Sequence, residues 1–167
     1  DGNGCSNTSS VDVTSTATAV ISLLATPSII CPGESAMLTA TGGITYIWGP
    51  GVIVNTATPN QGTVVPTGTT TYTITGTHAN GCTGTDQVTV TVNPLPVAPT
   101  TNPSNVTQYC LGATASAMSA VASSGYTLKW YDSANNLFSG SPTPLTSILS
   151  STLYKVTQTD ANGCESS

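Results

Sequence analysis

The residues with the most obvious chemical potential lie close together. His78, the chain's only histidine, stands four positions before Cys82 in the stretch HANGC. At that spacing an imidazole and a thiol could be two ligands of one metal ion, or a base beside a thiol nucleophile. The other general-base candidates are seven carboxylates: Asp1, Asp12, Glu34, Asp86, Asp132, Asp160 and Glu165. No two of them are spaced as a pair on one strand face. None of the many Ser and Thr residues sits in the Gly-x-Ser-x-Gly setting of an activated hydroxyl.

The elements that must position these residues are β-strands. Only 5% of the 167 residues are charged, no Arg is present, and the two lysines are Lys129 and Lys155. Thr, Ser and Asn supply the polarity, while Thr and Val dominate and suit a pleated surface. A net charge of −5 offers no basic stripe for phosphates, which excludes nucleic acid as a partner. The longest apolar patch, AVISLL at 19–24, is far shorter than a membrane span. No basic segment followed by an apolar one opens the chain, so it reads as a mature or interior piece of something longer. A surface so poor in charge associates readily and suits a packed stalk or fibre.

HANGC recurs. DGNGC opens the chain (1–5) and DANGC closes it (160–164). Trp48, Tyr72, Asn80, Gly81 and Cys82 reappear 82 residues later as Trp130, Tyr154, Asn162, Gly163 and Cys164. Upstream, CPG (31–33) returns as CLG (110–112), with about three extra residues before the second Trp. Repetition of this kind marks tandem structural units. Residues 17–93 form one complete repeat and NPLP (93–96) a stiff linker. Residues 94–167 form a second repeat that lacks its last strand. Residues 1–16 read as the C-terminal strand of a preceding repeat, with Val11 and Val13 placed like Val88 and Val90. The chain thus reads as a window on a longer array. An N-terminal strand of this kind could also complete the last repeat of an identical chain by strand addition. Neighbouring repeats, of the same or an identical chain, are the expected partners.

Period-two alternation defines the strands. Val88, Val90 and Val92 share a face, as do Tyr72 and Ile74, Tyr46 and Trp48, Leu128 and Trp130, and Leu38 and Ala40. No segment has a helical period. The fold class is all-β. About seven short strands in some 75 residues, with a Trp in the middle strand, predict tandem immunoglobulin-like sandwiches. Trp48, Tyr72, Trp130 and Tyr154 are the expected core aromatics. Asn80-Gly81 is predicted to form a hairpin turn, because both residues tolerate positive φ.

Five cysteines are an odd number. Repetition suggests that Cys31 pairs with Cys82 and Cys110 with Cys164, because only within-repeat pairing keeps each domain self-contained. Cys5 is then left without a partner. Closing such a loop of roughly 50 residues stabilises a domain by about 4 kcal/mol in the chain-entropy model. Disulfides place the protein in an oxidising, extracellular compartment. The metal reading fails on ligand number. Zinc takes about four Cys or His ligands, and the second repeat has no His. His78 aligns with Asp160 and Asp1, so the repeat does not need it. Asp86 and Asp160 lie in loops too poor in acids for calcium. No catalytic residue, metal or cofactor is expected. Tyr109, Tyr126, Tyr131 and Phe138 are the rings that could form a sugar-binding platform for surface glycans. Asn7-Thr8-Ser9 and Asn105-Val106-Thr107 match the N-glycosylation acceptor pattern.

The runs CPGESAMLTATGG, YIW, VVPTGTTTYTITGTHANGC and VTVTVNP, with the sister runs YCLGATAS, LKWYDS and STLYKVTQTDANGC, cover nearly the whole chain. Together they resemble the immunoglobulin-like repeats of large surface proteins that gliding and biofilm-forming bacteria export by the type IX secretion pathway. The resemblance implies no catalytic residues. It implies a structural or adhesive stalk of a cell-surface adhesin or filament, with gliding-motility adhesins among the examples. The alternative it implies is an accessory module, such as a carbohydrate-binding one, of a secreted polysaccharide-degrading enzyme. Asp132-Ser133-Ala134 also resembles the short O-glycosylation motif of such bacteria, which makes Ser133 a candidate glycan site.

Overall fold

The computed structural model describes residues 8–102 and 108–167. The first repeat holds eight strands: β1 (Ser22–Thr26), β2 (Ile29–Ile30), β3 (Ala36–Thr41), β4 (Thr45–Trp48), β5 (Ile53–Val54), β6 (Gln61–Val64), β7 (Thr70–Thr77) and β8 (Thr83–Val92). They form two four-stranded sheets, ordered β1-β3-β6-β5 and β2-β8-β7-β4. All pairings are antiparallel except that of β2 with β8. This is the strand arrangement of a constant-type immunoglobulin sandwich, with its first strand divided between the two sheets. Pro27 lies at the division, where its missing N–H would interrupt a continuous ladder.

The alternation seen in the sequence becomes the core. Leu38, Ala40, Val64, Ile74 and Val90 are fully buried between the sheets, joined by Leu23, Ile30 and Tyr72. Each large apolar side chain buried in this way contributes about 1.5–3 kcal/mol. Trp48 is half-buried and packs against the cluster's edge, its indole N–H donating to the Pro59 carbonyl at 3.0 Å. The facing Thr residues stay outside, where Thr71 and Thr89 hydrogen-bond across the β7–β8 pair at 2.8 Å. Asp86 on β8 accepts the Leu23 amide at 2.7 Å. It thereby satisfies a backbone donor on β1, at the edge of the other sheet.

The second repeat contains β9 (Thr100–Asn102), β10 (Ser119–Val121), β11 (Thr127–Tyr131) and β12 (Lys155–Thr159). β9 pairs with β10 and β11 with β12. Its register copies the first repeat to the residue. Trp48 faces Ile74 and Thr45 faces Thr77; 82 residues on, Trp130 faces Val156 and Thr127 faces Thr159. The bridge Thr159–Glu165 reproduces the pair Thr77–Thr83. The β9–β10 pairs reproduce β1–β3 with the shift that carries Cys31 to Cys110. Trp130 is buried, whereas Tyr154 is half-buried, with its ring 5.9 Å from Phe138.

One core position changes character between the repeats. Gly76 lies under the Ile21 side chain in the first repeat. Its counterpart Gln158 is buried and fully bonded in the second. Its amide donates to the Val97 carbonyl at 2.7 Å and to Ser123 Oγ at 3.0 Å, and its oxygen accepts the Ser123 amide at 2.7 Å. A buried polar group is tolerated when its bonds are satisfied.

Residues 8–16 do not form the expected strand. Val11 and Val13 are 84% and 90% exposed. A lone strand has no neighbour to pair its backbone groups, and no strand runs beside these residues among those described. Asp1, Cys5, Asn7 and the Asn105-Val106-Thr107 acceptor lie outside the described residues. Among the described residues, no helix is long and apolar enough to cross a membrane.

Candidate functional site

The chemistry of this molecule is concentrated in its cysteines, and their pairing corrects the expectation. Cys31 is bonded to Cys164, with Cα atoms 5.4 Å apart and a sequence separation of 133. Cys82 and Cys110 are free thiols. Each repeat therefore lacks a bridge of its own, and one bridge joins the two repeats.

The reason lies in β8. Ile30 pairs with Val92, so Cys31 emerges at the C-terminal end of β8. Cys82 immediately precedes Thr83, the first residue of the same strand. A ten-residue strand spans roughly 33 Å, and a disulfide tolerates a Cα separation of at most about 7 Å. Cys31 and Cys82 stand at opposite poles of the sandwich and cannot meet. The turn before β8 also lies beside the start of β1, as shown by the approach of Gly84 to Ala19. That is the pole where the chain enters the repeat. Cys31 lies at the other pole, where the linker leaves, with the Asn93 amide donating to the Ile30 carbonyl at 2.9 Å. Cys164, the counterpart of Cys82, belongs to the entry pole of the second repeat. The bridge thus joins the exit pole of one repeat to the entry pole of the next.

Two turns hold the sulfurs. At Cys31, the Glu34 amide donates to the Cys31 carbonyl at 3.1 Å. The Glu34 carboxylate in turn accepts the Cys31 amide at 2.9 Å. At Cys164, Asp160 Oδ1 accepts the amides of Asn162 and Cys164, each at 2.9 Å, and the Asp160 amide donates to the Cys164 carbonyl at 3.0 Å. Cys164 is wholly buried and Cys31 nearly so. Asp160 and Glu34, considered above as general bases, are here clamps for the bridge.

HANGC folds in the same way, with His78 N–H to the Cys82 carbonyl at 2.8 Å and Gly81 N–H to the His78 carbonyl at 2.9 Å. Only Gly81 takes a positive φ, at 81°; Asn80 does not. The expected hairpin turn forms as a three-residue loop, a type I turn closed by a left-handed glycine. Asn80 serves through its side chain, whose oxygen accepts the Cys82 amide at 3.0 Å. His78 itself is exposed. The Cys82 sulfur lies 3.1 Å from the Thr16 hydroxyl, so no imidazole–thiol pair forms.

A polar cluster that sequence reasoning did not assemble lies next to the bridge. Glu165 follows Cys164, and its carboxylate accepts Lys129 Nζ at 2.8 Å, Tyr131 O–H at 2.7 Å and Thr157 O–H at 2.6 Å. Burial pushes this carboxyl up. The hydrogen bonds from Lys129, Thr157 and Tyr131 outweigh it and hold the group down at about 2. The same bonds raise Lys129 and Tyr131 above their ordinary values. The cluster pins the segment after Cys164 to β11 and β12. Three of the four residues differ from their first-repeat counterparts Ile47, Gly49 and Thr83, and Thr157 alone matches its counterpart, Thr75.

Of the four rings considered for sugar contact, Tyr109 and Tyr126 are exposed. Tyr131 is engaged by Glu165, Phe138 packs on Tyr154, and the Tyr109 hydroxyl accepts the Ser116 amide at 3.4 Å. No three His, Cys, Asp or Glu side chains among the described residues come together as a metal site. Ser133 is exposed at a tight turn. Asp132 Oδ1 accepts the amides of Ala134 and Asn136 there, at 2.8 and 2.9 Å.

Residues 96–167 match the family described as Ig-like domain, CHU_C associated. No curated protein matches the chain. The match covers the second repeat, and the register shared by the two repeats extends the same architecture to the first. The chain is all-β, with immunoglobulin-like repeats and the single disulfide Cys31–Cys164 among the described residues. The matched family is a non-catalytic domain type.

Proposed function

We propose that the chain is a non-catalytic strut, a stalk segment of a bacterial surface adhesin or surface filament that works outside the cell. The observation that carries this reading is the Cys31–Cys164 bond between facing poles of consecutive repeats. Such a bond diverts load. Tension arriving at Cys31 crosses one S–S bond to Cys164 and bypasses every residue between them. Residues 32–163, from both repeats, lie in that closed loop and cannot be drawn out while the bond holds, whereas β1 and β2 lie outside it. The charge-poor, Thr-rich surface supports close lateral packing, and a disulfide suits an oxidising compartment. The sequence resemblance supports export by the type IX pathway. Ser133, with its hydroxyl at an exposed turn, is the glycan site this reading proposes.

Single-molecule pulling tests the strut directly. The oxidised chain, held at its termini, is expected to lengthen only by the segments outside the bridge. Adding reductant is expected to release a further ~450 Å, the extended length of the 133-residue loop. Full release without reductant would contradict the load-bypass role.

A further inference from the structure

We infer that Cys82 and Cys110 are the two halves of a second bridge of the same kind, made between one copy of this chain and the next. The loops that make the existing bridge are both present a second time. Cys110 opens a C-x-G turn closed by Ala113 N–H to the Cys110 carbonyl at 3.0 Å, as Glu34 N–H closes on Cys31 at 3.1 Å. Gly112 and Gly33 sit at φ 77° and 88°. Cys82 ends a turn with the same two backbone bonds as the turn that ends at Cys164. The bonded pair is one C-x-G cysteine and one N-G-C cysteine, and among the described residues the free pair is again one of each.

Position decides the partner. Cys82 is at the entry pole of the first repeat. From there β8 carries the chain away for roughly 33 Å, and the linker and second repeat follow. An intrachain Cys82–Cys110 bond would require the second repeat to fold back along that strand. Two copies placed head to tail bring the pair together by the contact already seen at Cys31–Cys164. Because this contact uses two different surfaces, it can be repeated from copy to copy, and it builds an open filament wherever the rotation between copies does not close a ring. Both thiols are reachable: Cys110 is exposed and Cys82 half-buried. Apolar side chains flank each, with Leu111 and Leu145 about 60% exposed near Cys110 and Val20 82% exposed near Cys82. The carboxylate clamps of the existing bridge are replaced here by Ala113 and His78, so the second bridge is held by the backbone turns and by Asn80.

The oxidant is a low-molecular-weight disulfide. The Cys110 thiolate attacks it to form a mixed disulfide and releases one thiol. The Cys82 thiolate of the neighbouring copy then attacks the Cys110 sulfur and releases the second thiol. Two S–H bonds are replaced by one protein S–S bond, and the oxidant's S–S bond becomes two S–H bonds.

The test uses the full chain incubated with oxidised glutathione and separated without reductant. The expected product is a ladder at multiples of 16.7 kDa that collapses on reduction and contains a Cys82–Cys110 cross-linked peptide. Cys82→Ser and Cys110→Ser are each expected to abolish the ladder. A mixture of the two variants is expected to stop at the dimer, since it can form one bond only. Like-to-like bonds between two Cys82 or two Cys110 residues, a bond of either Cys82 or Cys110 to Cys5, or a chain that stays monomeric would each overturn the inference. These outcomes are separable from failure of the strut reading, which depends only on Cys31–Cys164.

Discussion

Cys31 and Cys164 are bonded across 133 residues of sequence, while Cys31 and Cys82, in the same repeat, are held apart by the full length of β8. The pairing follows from strand direction. β2 runs parallel to β8 and delivers Cys31 to the end of β8 that is remote from Cys82.

The bridge should dominate the chain's stability. In the chain-entropy model a loop of 133 residues is worth about 5 kcal/mol. Replacing both Cys31 and Cys164 by Ser should lower the urea midpoint by a corresponding amount. Cys82→Ser and Cys110→Ser, which break no bond, should stay within about 0.5 kcal/mol of the parent. Equal losses in all three variants would contradict the pairing.

Acid should loosen the second repeat through Glu165. Its folded pKa, about 2, is depressed below the ordinary 4.5, so its contribution is complete above that ordinary value. The contribution is lost as pH falls toward 2. The partly exposed Lys129–Glu165 pair is screened by solvent, which leaves about 1–2 kcal/mol in that window. Melting temperature measured from pH 6 to pH 2 should fall more steeply for the parent than for Glu165→Gln. Parallel curves would show that the cluster carries no linkage.

Asp86 should be worth more than its half-exposed position on β8 suggests. Asp86→Ala leaves the Leu23 amide without its 2.7 Å partner, at a cost of about 1–3 kcal/mol. Asp86→Asn keeps an acceptor oxygen and should recover most of that. Faster hydrogen exchange at Leu23 in the Ala variant, but not in the Asn variant, is the expected result.

Neighbouring residues on β3 should differ sharply. Leu38 is completely buried and Met37 is 46% exposed. Leu38→Ala should cost about 2–5 kcal/mol, and Met37→Ala less than about 1 kcal/mol. Comparable losses on denaturation would overturn the assignment of strand faces.

The strands were legible because alternation and burial report the same thing: Leu38, Ala40, Tyr72, Ile74 and Val90 all face inward as their spacing requires. The repeat was legible to the level of register, since the matched Trp positions carry matched strand pairs. The cysteine partners were not. Either pairing satisfies the composition, and only the parallel course of β2 beside β8 separates them. The hairpin turn at Asn80-Gly81 was legible too, and the hydrogen bond from Gly81 to His78 shows which of the hairpin geometries that suit the dipeptide it takes. The Glu165 cluster was invisible because its donors come from β11 and β12, and nothing in their spacing aims them at one carboxylate.

Disulfide mapping tests the central claim most directly. Free thiols would be alkylated on the folded chain, which would then be digested with pepsin at acid pH, where the scarcity of thiolate suppresses exchange. The account predicts a cross-linked peptide joining Cys31 to Cys164, with the alkyl label on Cys82 and Cys110. Cross-linked peptides joining Cys31 to Cys82 and Cys110 to Cys164 would contradict it.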